Sequence, residues 1–150
     1  MQLVGQYADS LLAFEHLHLT KLFVWAAISG LPAAFILLTL ARRGGAGRSP
    51  LLWHFSLQLL TWAHLVAIAA AVRHIRLAPR DFAGATSLDH ITWLSAGLAV
   101  GLLALGATLV VLGARSAPQR LGLAGAGLGL ATHGAALALL DLQLASTIVR

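Results

Sequence analysis

The sequence predicts an all-α integral membrane protein, a four-helix up-down bundle, on three observations. Only 10% of the residues are charged and the mean hydropathy is +0.85, whereas a soluble domain carries about 25% charged residues. The few charges divide the chain into four runs without Asp, Glu, Lys or Arg. These hold 20 residues between Lys21 and Arg42, 24 between Arg48 and Arg73, 25 between Asp89 and Arg115, and 20 between Arg120 and Asp141. Each run matches the roughly 20 residues a helix needs to cross a ~30 Å hydrocarbon core. Leu and Ala dominate the runs, without the roughly ten-residue alternation of a barrel strand.

The expected spans are 20–41, 50–72, 90–114 and 119–141, in one domain covering 1–150. Short connections make sequence neighbours antiparallel. Pro32, two residues after Gly30, sits inside the first span, where a kink is expected. Gly44, Gly45 and Gly47 end that helix, and Ser49-Pro50 supplies an N-cap and a first-turn proline for the second. Ser87 and Asp89 are expected to cap the third helix, and Pro118 to open the fourth. The N-terminal tail carries Asp9 and Glu15 rather than the basic start of a cleavable signal.

Charge also bears on orientation. Arg42, Arg43, Arg48, Arg115 and Arg120 lie at one end of the bundle; Lys21, Arg73, Arg76, Arg80 and Arg150 lie at the other. The bases are tied, but Asp9, Glu15, Asp81, Asp89 and Asp141 all share the second end. That tilts the expectation to N-out and C-out in a bacterial inner membrane. The basic loops suit anionic lipid headgroups, and no aromatic-interleaved basic patch suggests nucleic acid.

The chemistry the chain lacks narrows the function classes. It has no Cys, and its single Met is residue 1. Disulfides, thiolate metal sites and iron–sulfur clusters are therefore out. There is no phosphate loop, HExxH or nucleophile elbow, and no span has a carboxylate at its middle. A non-catalytic protein is expected.

Two features remain. Gly97 and Gly101, followed by Ala104 and Thr108, form one small-residue face on the third helix, and Gly125 and Gly129 repeat the spacing on the fourth. Such faces pack helices in lipid, either within the bundle or onto other integral membrane subunits. Seven histidines are the second feature. His64 lies nine residues before Arg73 and His133 eight before Asp141, on helices running the same way. Both imidazoles therefore lie roughly 12–14 Å inside the outer boundary. Small neighbours leave room for a flat ring, so the pair could ligate a haem b, or one could hold a (bacterio)chlorophyll; hydrogen bonding within the bundle is the plainer alternative.

Glu15, His16, His18, His74, Asp89, His90 and Asp141 gather at the outer boundary. His16, His18, His74, His90 and Asp141 have the chemistry of metal ligands, of a proton relay, or of contacts to a quinone headgroup. Ordinary solvation of helix ends is again the plainer reading. His54, Gln58 and Thr61 make a polar stripe on the second helix. Trp25, Trp53, Trp62 and Trp93 suit interface anchoring or packing, with Trp62 the deepest.

The stretch from Leu94-Ser95-Ala96-Gly97 through Gly101 and Gly106, then Gly125 to Gly134 and Asp141, resembles a loosely defined group of small four-helix bacterial membrane proteins. That group has polar residues at the positions of Ala96 and Ala99, and glutamine at that of His133. The resemblance spans roughly half the chain and implies the fold and a bacterial membrane setting. The combined expectation is an accessory subunit packed against a larger energy-transducing complex. A bis-histidine cytochrome and a small metal transporter are the alternatives.

Overall fold

The computed structural model describes residues 2–115 and 120–148, with side chains from Tyr7 onward. It contains four α-helices: α1 (Gln2–Ala41), α2 (Pro50–Ile75), α3 (Phe82–Ala114) and α4 (Leu121–Ile148), with a 3-10 turn at Gly45–Gly47. All four are long and apolar enough to cross a membrane. Pro118, expected to open α4, lies outside the described residues.

The helices outrun the charge-free windows. α1 begins at Gln2 and α3 at Phe82, while α4 continues past Asp141 to Ile148. A charge-free run measures membrane thickness, whereas a helix continues wherever its polar side chains find partners. At 1.5 Å per residue α1 is about 60 Å long, twice the hydrocarbon core. The helix passes through Pro32 without interruption. Upstream of it, Ser29 Oγ donates to the Trp25 carbonyl at 2.7 Å.

The ends follow local chemistry. Gly44 and Gly45 take φ values of 104° and 62°, a left-handed reversal that L side chains resist. Pro50 sits in the first turn of α2 after Ser49, whose side chain makes no capping bond. The α3 cap differs from expectation: Asp81, not Ser87 or Asp89, accepts from Gly84 N at 2.8 Å. Ser87 and Asp89 are residues of the helix itself.

Packing runs in the order α1–α2–α4–α3, with α1 also touching α4. The sequence neighbours α2 and α3 barely touch, so α3 rests almost wholly on α4. Leu19, Leu22 and Ala26 of α1 pack with Ala63, Val66 and Ala70 of α2. Toward the end bearing the acids, Leu11 joins Ala85, Leu88, Leu144 and Ile148.

Candidate functional site

Glycine explains why α4 is central. A β-carbon on Gly127 would lie 2.6 Å from the Gly106 carbonyl oxygen, and one on Gly134 2.5 Å from Leu103 N. A β-carbon on Gly113 would come within 2.8 Å of Ala124 Cα. α3 and α4 therefore meet backbone to backbone. The seam repeats every seven residues, through Ala85, Thr92, Ala99, Gly106 and Gly113 on α3. Ala124, Ala131, Ala138 and Ala145 repeat at the same interval on α4. A seven-residue period is the signature of coiled-coil packing, here built from small side chains.

The expected four-residue glycine pairs lie elsewhere. Gly125 and Gly129 face α2, where Leu51, Phe55 and Gln58 fill the space a β-carbon would need. Gly122 meets His54, so the His54–Gln58 stripe of α2 also faces α4. Gly97 and Gly101, by contrast, have no described neighbour within 4 Å of where a β-carbon would sit. They are exposed with Ala104 and Thr108 on the far side of α3. Gly97 is two residues from the seam position Ala99, a rotation of about 200° on a helix.

The polar residues at the acid-bearing end form two inward-facing groups. Glu15, 1% exposed, accepts two 2.8 Å hydrogen bonds from Arg80, through Nε and Nη2. Arg73 Nη2 lies 3.8 Å from the same carboxylate. Bonding to Glu15 raises the Arg80 pKa above its ordinary value, against the opposing effect of partial burial. Sequence reasoning did not find this fork; the pairing of Glu15 with a residue 65 positions away depends on the connection after α2 folding back over α1. Asp141, also buried, accepts from Ser95 Oγ at 2.5 Å, and His18 Nε2 approaches it to 3.3 Å, off the hydrogen-bond line.

The expected metal-ligand set does not assemble. His18 meets Asp141, His16 lies against His74 at 5.5 Å between centroids with the rings tilted by 52°, and His90 is exposed on α3. Among the described residues no group of three or more His, Cys, Asp or Glu could hold a metal ion. The physical reason is helical rotation, since His16 and His18 lie about 200° apart on α1.

Rotation separates the two deep histidines as well. His133 is fully buried, with Trp25 at 5.6 Å and Trp62 at 6.2 Å between ring centroids. Among the described residues neither of its ring nitrogens has a hydrogen-bond partner. Trp62 thus packs within the bundle, while Trp93 is exposed. His64, two residues after Trp62, faces the other way and is exposed. It lines a groove of about 460 Å³ between α1 and α2, and its Nδ1 lies 2.8 Å from the Leu60 carbonyl oxygen. The two imidazoles share a depth but not a cavity, so the structure does not bring them together as axial partners. A second cleft, of about 260 Å³, opens where α2 and α3 fail to meet; Arg73, Ser95 and Asp141 give it a polar end. Comparison of the chain with protein-family models, with curated proteins and with solved structures gives no match.

Proposed function

We propose that this chain is a non-catalytic accessory subunit of a larger, energy-transducing complex in a bacterial inner membrane, with both termini outside. One observation carries the reading: Gly97 and Gly101 sit on an exposed helix face where, among the described residues, nothing lies within 4 Å of the place a β-carbon would take, while at Gly106, Gly113, Gly127 and Gly134 that place is filled by neighbouring backbone. Glycine weakens a helix interior by roughly 1 kcal/mol relative to Ala. In lipid, small residues are favoured where another helix must approach closely. The occupant of this face is a transmembrane helix of a different protein.

The test is affinity purification of the tagged protein from its native membrane in a mild detergent. The wild type should recover a stoichiometric membrane partner, and a Gly97→Leu/Gly101→Leu variant should lose it while keeping its helical content. Recovery of only a dimer of this chain, or an unchanged partner with the double variant, would overturn the reading.

A further inference from the structure

The α1–α2 groove has a character of its own. Its walls combine Ala26, Ala27, Gly30, Ala34, Ala63 and Ala67 with three large apolar side chains, Phe23, Leu31 and Leu60, and among the described residues no charged one lines it. Its volume falls in the range of small-molecule sites, and it is a shallow, open groove rather than an enclosed cavity. The one imidazole in the groove is fixed in a single tautomer. A carbonyl oxygen only accepts, so the 2.8 Å contact to Leu60 puts the proton on His64 Nδ1. Nε2 is left with its lone pair on an exposed residue of a membrane-spanning helix. An unpaired imidazole nitrogen in hydrocarbon is costly and calls for a partner. Donation of the other ring N–H to a backbone carbonyl is also the usual way a metal-binding histidine is oriented.

We propose that this groove holds a neutral, chlorophyll-type metallotetrapyrrole, with His64 Nε2 as the single axial ligand to a five-coordinate magnesium. The alanines and Gly30 leave the flat macrocycle room against both helices, and Phe23, Leu31 and Leu60 supply apolar contact to it. Haem b fits less well, because its two propionates would need cations that the groove lacks. A low-spin bis-histidine haem would also need a second imidazole, and His133 is turned into the core on the other side of α2. The site is separate from the outer face of α3, so the two proposals stand or fall independently.

Titration of the purified protein in detergent tests it, with zinc protoporphyrin IX dimethyl ester as an uncharged probe that favours five-coordination. Saturable one-to-one binding is expected, with the absorption shift of imidazole ligation. His64→Ala, which removes the ligand, and Ala27→Leu, which fills the groove, should each weaken binding at least ~10-fold. Both positions are exposed, so helical content and unfolding temperature should stay unchanged and serve as fold controls. Haemin should bind more weakly than the zinc ester. Non-saturable partitioning, unchanged binding by His64→Ala, or tighter binding of haemin would each overturn the proposal.

Discussion

Along one face of α3, Ala85, Thr92, Ala99, Gly106 and Gly113 follow the seam with α4; on the opposite side, Gly97, Gly101, Ala104 and Thr108 are exposed. Both faces are rich in small residues, and composition alone makes them equivalent. Their extent differs. The seam repeats at seven residues from Ala85 to Gly113, nearly the whole of α3, whereas the outer patch, whose Gly97–Ala104 and Gly101–Thr108 steps are also seven residues, is bounded by Leu94 and Val111. The long seam therefore organises the fold, and the short patch is left for an external contact.

Substitutions separate the two faces most sharply at the seam. Gly134→Val would drive a side chain into the Leu103 backbone, where even a β-carbon lies 2.5 Å from N. We expect it, and Gly106→Val, to destabilise the isolated protein by about 3 kcal/mol, the upper end for overpacking, as read by thermal unfolding in detergent. The same change at Gly97 should leave unfolding nearly unchanged, because surface substitutions stay within roughly 0.5 kcal/mol. If Gly134→Val melted like Gly97→Val, the seam would not be the organising contact.

The Glu15 fork comes next in size. Glu15→Ala removes the carboxylate that Arg80 and Arg73 share. A loss of ~1–3 kcal/mol is expected, as for other half-broken polar pairs, with faster proteolysis of the α2–α3 connection as an independent readout. Asp81→Ala removes the α3 cap that accepts from Gly84 N and should cost about 1 kcal/mol. The smallest effect has the opposite sign. Gly97→Ala and Gly101→Ala should each stabilise the isolated chain by ~0.5–1 kcal/mol, since Ala is the better helix former and nothing obstructs its methyl group. A loss of stability there would show that the outer face already has an intramolecular partner.

Much of the architecture was legible because charge is so scarce. Four charge-free runs located the four helices, and the glycines at 44, 45 and 47 marked the first reversal. The true helix ends were not legible, because Glu15 and Asp141 look like boundary charges until Arg80 and Ser95 are seen to pair with them. Depth was readable for His64 and His133, but facing was not. Two residues on one helix place Trp62 against His133 and turn His64 to the opposite side. The α3–α4 seam was present in the sequence as a seven-residue series of Ala, Thr and Gly, in which only two members, Gly106 and Gly113, are glycines.

A seam of near-identical small residues has one weakness, which the hydrogen bond from Ser95 to Asp141 addresses. Sliding α3 past α4 by seven residues, about 10 Å, so that Gly113 takes the place of Gly106, would again set small residues against small residues. The helices could then lock into a wrong register at little cost in packing. Asp141 removes that degeneracy. In a slipped hairpin Ser95 would move away from it, leaving a buried carboxylate without its hydroxyl donor. One polar residue in a repetitive interface can thus set alignment while contributing little net stability, as a lone buried polar residue does in coiled coils.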